Sequence, residues 1–543
     1  MSSFRLAIFG VSFVLIFAVA AIAEDIDGYT IGEIKIIRHN IFDLSKPEES
    51  SKVGVWGNRL HSLTKEKVIR QELLFKEGDP YNKKLVEESE RNLRRYKFLT
   101  DIMITAAPDE KTRTVDILVT TRDQWSLIVG GTFGGTSGNN ETGVDAGEIN
   151  LMGSGQTLMY RIRHDNRGFT QSFGYRDSTW LDTRYVLDLG YNALPYEKRY
   201  NFLLEKPFFS LDTKRAQGLS YLVRDYDDPS LSFNSQRLNA FYGFGSGFGD
   251  DDIIRTSLKL SYGEQYVNYG IGGTGINADL TTNLDTNLDT NTGSDNADTS
   301  GDNTSVNRDN KVGIVTRLLF DPHKYDKATY IAKFREVEDI FLGTTVTLSL
   351  AAKLETFGST DSDVSAGIRL HRNHKVGKRD YFFTLLEMRR NDDFFNKHYA
   401  LMDMRYYMRW FKYQTIFFRA RALYSESEVN RFYLGGDNGL RGFEADEFKG
   451  RNRVIMTLED RIYTYKTMFY GLIEPGFVVF VDVGNTWNDY SGDKLEKLHG
   501  GFGVGLRLAL LKAPGISLIA LDIGHSFEMD RSPVLTFGME GAF

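Results

Sequence analysis

The stretch LGGDNGLRGF, residues 434–443, places one cation, Arg441, among four glycines. Glycine reaches φ > 0 and lets a backbone pass close to a neighbouring surface. Arg441 is therefore either a solvated loop residue or a peg seated in a socket. Other stretches bear on enzymatic chemistry, and each falls short. The nine histidines contain no His-Glu-x-x-His run, and no Gly-x-Ser-x-Gly elbow occurs. His371 and His374 in RLHRNHKVGKRD form a His-x-x-His pair, but basic neighbours and an expected turn argue against zinc. GSGFGD at 245–250 lacks the Lys-Ser/Thr of a phosphate loop, and GIGGTG at 270–275 runs into a polar tract where a dinucleotide site needs a helix. The absence of cysteine excludes disulfides, thiolate metal sites and a thiol nucleophile. Glu459, Asp460, Asp403 and Arg405 could gather in an interior, where their plainer role is to fill and hydrate it. No catalytic residue, metal site or cofactor is expected. The formal charge of −7 speaks against broad nucleic-acid binding.

The elements that would hold Arg441 follow from the rest of the chain. Arg5 precedes an apolar run from Leu6 to about Ile22, and Ala21-Ile22-Ala23 is a small-x-small cleavage site. Residues 1–23 thus read as an export signal, with an uncleaved anchor as the other reading. Residues 29–121 read as a small α+β domain. YTIGEIKIIRH is an expected strand, Thr64 an expected cap for a helix through KEKVIRQEL, and GDPYN a turn. Asn82 can cap a helix from Lys83 to about Tyr96, with Leu85, Ser89, Leu93 and Tyr96 near one face. DIMITA and TVDILVTT complete the order strand, helix, helix, strand, strand. Such a sheet leaves an edge to which an extended peptide can add as a strand.

From Gln124 to Phe543 short segments of period two recur between polar turns. Met402, Met404, Tyr406, Met408 and Trp410 share one face, with Asp403, Arg405, Tyr407 and Arg409 on the other. In GFGVGLRLAL, Phe502, Val504, Leu506 and Leu508 oppose Gly503, Gly505 and Arg507. Alternation alone fits a sandwich or a barrel. Full charges on one face and aromatic-rich apolar residues on the other favour a barrel in lipid, closed because an open edge in hydrocarbon is too costly. The chain has 28 Tyr, 38 Phe and 52 Gly, the aromatic and turn residues such a barrel uses. About twenty candidate strands can be marked, those between Tyr262 and Tyr413 being ambiguous with loop hairpins. Residues 277–310, rich in Asp, Asn, Thr and Ser, read as a low-complexity polar loop without EF-hand spacing.

With its export signal, small α+β domain, C-terminal barrel ending in Phe543 and LGGDNGLRGF loop, the chain resembles the BamA-like superfamily of outer-membrane assembly and translocation barrels, TamA included. Residues 29–121 look like one POTRA domain, with the GDPYN turn and the Asn92-Leu93…Phe98 stretch. The resemblance implies that the loop near 432–450 folds into the lumen through an Arg-Gly-aromatic core, here Arg441-Gly442-Phe443. It also implies that the arginine meets a wall aspartate in the run Phe480-Val481-Asp482-Val483-Gly484. Strand parity agrees, since Phe477, Val479, Val481 and Val483 form the lipid face and Phe480, Asp482 and Gly484 the lumenal one. A bidentate guanidinium–carboxylate pair is possible there. The family barrel has sixteen strands, fewer than the segments marked here, and its insertases and two-partner translocators usually carry more than one POTRA domain.

The expectation is a transmembrane antiparallel β-barrel over residues 124–543, of sixteen strands or elaborated, after a small α+β POTRA-like domain. The resemblance implies the outer membrane of a diderm bacterium, with the N-terminal domain in the periplasm. It implies assembly or insertion of β-barrel polypeptides, with unfolded outer-membrane or secreted polypeptides and the lipid bilayer as partners. The small domain would hold substrate by its edge. The seam between the first strand, near 124–134, and the last, Pro533–Phe543, would open, Phe543 closing the C-terminal signal. A secretion translocator, a passive channel or structural protein, and a lipid-handling protein are the alternatives.

Overall fold

The computed structural model describes residues 26–540 apart from 48, 137–138, 166–167, 229–230, 249–250, 270–303, 391–397, 427–431, 489–494, 496, 513–517 and 529. The expected export segment, most of the 277–310 tract, the GIGGTG stretch at 270–275 and Phe543 lie outside the described residues.

The small domain forms around a three-stranded sheet. β1 (Thr30–His39) runs parallel to β3 (Thr114–Asp123), which pairs antiparallel with β2 (Leu99–Asp109), in the order β1-β3-β2. Val115, Ile117 and Val119 alternate inward along the central strand and meet Ile31, Ile34, Ile69, Leu93 and Phe98 in one core. Two helices cover that face, α2 (Glu66–Glu72) and α3 (Lys83–Arg94). Asn82 caps α3 by accepting from Lys84 N and Leu85 N. Thr64 does not cap α2, whose first turn has no side-chain cap. Its hydroxyl instead donates to Asp123 Oδ2 at 2.8 Å, a buried acceptor that draws it away from the helix.

One helix was absent from the expected order. Helix α1 (Lys52–Leu60) precedes α2 and is capped by Ser51, whose side chain accepts from Gly54 N. Its inward positions are Gly54 and Gly57, so it lacks the inward apolar period that marks a helix.

From Leu127 onward, twenty-one strands order as one closed antiparallel barrel among the described residues, Val534–Glu540 standing next to Leu127–Thr136. Thr304–Arg308 and Lys311–Phe320 pair in turn with the same neighbour, Asp252–Tyr269, and act as one, leaving twenty staves. The sixteen of the resemblance are exceeded because most of the ambiguous segments between Tyr262 and Tyr413 are wall strands. The polar tract also ends in wall structure at Thr304–Arg308, where backbone pairing suffices without apolar side chains. Two short hairpins stand apart from the wall, Tyr325–Ala328 with Glu338–Phe341 and Phe432–Leu434 with Phe448–Gly450.

Parity decides which side chains fill the barrel. Phe477, Val479, Val504, Ile523, Leu535 and Phe537 stand exposed on the outer face, while Phe480, Asp482, Glu459, Arg461 and Arg507 are buried inside. Barrel diameter grows with strand number, so twenty staves enclose more volume than wall side chains alone can fill. No helix among the described residues is long and apolar enough to cross a membrane, which leaves strand crossing open.

The first stave begins beside the small domain, so every even stave returns to that side. α3 lies across this near mouth. Arg94 pairs with Asp339 at 2.5 and 2.7 Å, Lys327 with Glu90 at 2.8 Å, and Arg184 with Glu72 at 3.1 Å. Lys512 reaches Glu49 at 2.7 Å, and Trp125 N donates to the Lys512 carbonyl at 2.8 Å.

The domain core should behave as tightly packed. Leu93→Ala, at a fully buried position of α3, is expected to cost about 2–5 kcal/mol. Pulse proteolysis of the full chain in urea reads this as earlier cleavage within 30–123; an unchanged midpoint would contradict the packing described.

Candidate functional site: a charged lock in the lumen

The far-side hairpin turns its tip into the barrel. Leu434, Leu440 and Phe443 bury themselves against Ile455 of the wall. Gly442 has φ +94°, and a Cβ there would lie 2.7 Å from the carbonyl carbon of His525. The wall answers with its own glycine, since a Cβ on Gly524 would sit 2.6 Å from Gly442 N. Only a backbone without side chains on either surface allows this approach.

That approach seats Arg441, whose side chain is buried. Its Nε donates to Asp482 Oδ2 at 2.8 Å and its Nη2 to Asp482 Oδ1 at 3.1 Å, a bidentate pair. The same Nη2 donates to Glu459 Oε1 at 2.7 Å, and Nη1 reaches Asp522 Oδ2 at 3.4 Å. The guanidinium carbon lies 3.6 Å from the centre of the Phe480 ring, a cation–π seat in a desolvated place. Burial works to lower the Arg441 pKa, but Glu459, Asp482 and Asp522 outweigh it and hold it above its ordinary value.

The pair expected from the loop and wall motifs is thus the centre of a larger network. Arg461 Nε donates to Glu459 Oε2 at 2.8 Å, and Arg507 donates to Asp522 at 2.5 and 3.1 Å. Three arginines face three carboxylates. Asp522-Ile523-Gly524 repeats the Asp-x-Gly spacing of Asp482-Val483-Gly484, the sequence signal that could have revealed the second wall aspartate. Gly484 faces inward beneath Leu434, where a Cβ would meet the Val454 carbonyl oxygen at 2.6 Å.

The near-side hairpin enters the lumen from the other end. Tyr330, Ile331 and Phe334 at its tip are buried, the first and last against Tyr463. Thr415 Oγ1 donates to the Tyr330 carbonyl at 2.8 Å, and Arg335 pairs with the fully buried Glu474. Glu338 holds the tip by accepting from the backbone N–H groups of Ile331, Ala332 and Lys333 at 3.0–3.1 Å. Arg461 Nη1 donates to the Ile331 carbonyl at 3.4 Å. Arg441, Glu459 and Arg461 therefore join the two insertions by polar contacts. No motif in TYIAKFREVEDIF announces this, because backbone carbonyls carry the contact.

Other sequence candidates separate. Glu459 and Asp403 face the interior, Asp403 accepting from Arg405 and Arg419. Asp460 has the opposite parity and pairs with Gln414 on the outer face at 2.8 Å, so it belongs to no interior group. His371 and His374 lie on one continuous strand, Asp363–Val376, and not at a turn. Their odd separation sends them to opposite faces. Among the described residues, no three His, Asp or Glu side chains gather as a metal site would require.

Comparison with known proteins adds the following. Residues 52–122 match the POTRA family described as "Surface antigen variable number repeat". A search of curated proteins finds no match. Among solved structures, BamA from Haemophilus ducreyi lacking POTRA domains 1–3 aligns at 12% identity over 94% of this chain and 83% of its own, with TM-score 0.38. CdiB from Acinetobacter baumannii aligns at 14% identity over 93% and 73%, with TM-score 0.42. CdiB from Escherichia coli aligns at 11% over 95% and 75%, with TM-score 0.41. The matched family begins at α1 and ends on β3, so the unit ahead of the barrel is a POTRA domain.

Proposed function

We propose that this chain passes or inserts polypeptides at an outer membrane, with its POTRA domain in the periplasm, and that secretion through the lumen is the leading route. The observation that carries this is how the lumen is filled. Both inserted hairpins belong to the chain itself, and neither joins the ladder of the wall. Side-chain pairs and packing hold them, so either can withdraw without opening the barrel. A passive channel would gain nothing from two insertions tied together across its bore. Insertion of nascent barrels is the second reading. It draws on the neighbouring first and last strands, Leu127–Thr136 and Val534–Glu540, whose glycines lower packing at a seam. For either route β2 offers substrate an edge, because it pairs only with β3 among the described residues. No catalytic step is invoked, and the free energy would come from strand pairing and from folding of the product.

In this reading Arg441 is a positional lock. Arg441→Ala leaves Asp482 buried without its arginine, while Glu459 keeps Arg461 and Asp522 keeps Arg507, a loss of about 3–5 kcal/mol. The chain has no native cysteine, so a probe Leu440→Cys at a fully buried position is the sole thiol. Its labelling by a membrane-impermeant maleimide should rise about a hundredfold or more in the Arg441→Ala background, the shift for 3 kcal/mol. Equal rates would remove the lock. Exchanging Arg441 and Asp482 should restore slow labelling only in part. The new carboxylate then faces Glu459 and Asp522, whereas an isolated pair would be rescued fully.

Depletion in the host, followed by quantitative proteomics of outer membrane and medium, tests the function. Loss of one secreted or surface protein supports translocation. A broad fall in unrelated barrels, with precursors in the periplasm, supports insertion. An unchanged proteome defeats both and leaves a channel, structural or lipid-handling role.

A further inference from the structure

Helix α1 is built inside out. Gly54 and Gly57 face the domain, where a Cβ would come within 2.0 Å of the Glu49 carbonyl oxygen and 2.6 Å of the Phe42 ring respectively. The large apolar residues face away, with Val53 48%, Trp56 57% and Leu60 71% exposed. Their spacing of three and four places them on one helical face. A nine-residue helix that gives its small residues to its own core and its large ones to the surroundings is made to contact something else.

The surroundings are the outer rim of the barrel. A groove of about 520 Å³ runs between α1 and the wall, lined by Phe42, Trp56, Leu60, Trp125, Leu472 and Leu510. Leu510 ends a strand whose outward residues are Phe502, Val504, Leu506 and Leu508, so the groove continues the outer apolar belt. Phe469 and Tyr470, on the neighbouring near-side turn, are 66% and 56% exposed and extend the patch. Lys52 and Arg59 flank the apolar face on the exposed side of α1, with the Arg59 guanidinium 5.6 Å from the Trp56 ring. An apolar face carrying tryptophan and bordered by cations is the composition of a helix lying in a bilayer interface.

We propose that α1 is a membrane anchor of the POTRA domain. Val53, Trp56 and Leu60 enter the periplasmic leaflet beside the barrel, lipid acyl chains fill the groove, and Lys52 and Arg59 reach the headgroups. The inference rests on the barrel spanning a bilayer. Anchored in this way, the domain keeps a fixed orientation to the near mouth, adding to the contacts of α3 and Lys512.

Single-cysteine variants of the full chain in phosphatidylcholine–phosphatidylglycerol vesicles test it, since no native thiol interferes. Leu60→Cys reports on α1, Val504→Cys on the barrel belt and Lys111→Cys on an exposed turn of the domain. Each is labelled with a small fluorophore and challenged with acyl-chain spin-labelled lipid and with iodide. Lipid should quench the labels at 60 and 504 to a comparable extent, and iodide should quench only the label at 111. Adding Val53→Asp and Trp56→Asp to the Leu60→Cys variant should abolish its lipid quenching, which excludes partition of the dye itself. Quenching of 504 by lipid but of 60 by iodide would overturn the anchor and leave the barrel reading standing. A label at 60 shielded from both quenchers would overturn it in favour of a protein occupant. A label at 504 untouched by lipid would defeat the membrane reading and the anchor with it.

Discussion

A guanidinium buried inside a barrel must be neutralised where it stands, because desolvation of an unpaired charge costs several kcal/mol. Arg441 meets this constraint with Asp482, Glu459 and Asp522, which come from three different wall strands. The far-side hairpin, the glycines of the wall and the placement of Phe480 are all conditions for that contact. Gly442 and Gly524 let two backbones touch. Phe480 supplies a ring face 3.6 Å from the Arg441 guanidinium carbon. Such a network adds little net stability over an apolar filling, but it fixes one geometry and is costly to break on one side.

The same network explains how a wide barrel can hold its contents. Twenty staves enclose more space than inward side chains fill, and two hairpins of the chain occupy it from opposite ends. Glu459 is shared by Arg441 of one insertion and by Arg461, which binds the backbone of the other. The near-side hairpin in turn carries Asp339 and Lys327, the partners of Arg94 and Glu90 on α3. A continuous set of polar contacts therefore runs from the far-side loop through the lumen to the POTRA helix that lies across the mouth. Contacts thus link α3 of the domain to Arg441, although more than three hundred residues of sequence separate Arg94 from Arg441.

Packing of the small domain divides its surfaces by the same logic of burial. β3, α2 and α3 close one core, and their outward residues are largely charged. α1 reverses the pattern, and its apolar face borders the near end of the wall at Leu472 and Leu510. The two faces of the domain thus address different surroundings, α3 the charged near mouth and α1 the apolar rim.

Much of this was legible in residue order. Period two set the inward and outward faces of the wall correctly at Phe480, Asp482 and Val504, because a strand has only two sides. Asn82 as a cap and the alternation of Val115, Ile117 and Val119 were readable for a similar reason, because caps and core strands are local. What residue order could not supply was anything dependent on closure. Whether an alternating segment is wall or loop hairpin depends on which neighbours it pairs with, so residue order marked about twenty segments without deciding which were wall, and the sixteen came from the resemblance alone. Asp522 and Glu459 join Arg441 because consecutive wall strands curve their inward residues toward one point. The near-side insertion meets Arg461 through the backbone carbonyl of Ile331, which no motif records. Helix α1 escaped notice for the converse reason, since its apolar face points away from its own domain. The sequence alone determined which side chains could meet; the curvature of the closed sheet decided which of them do.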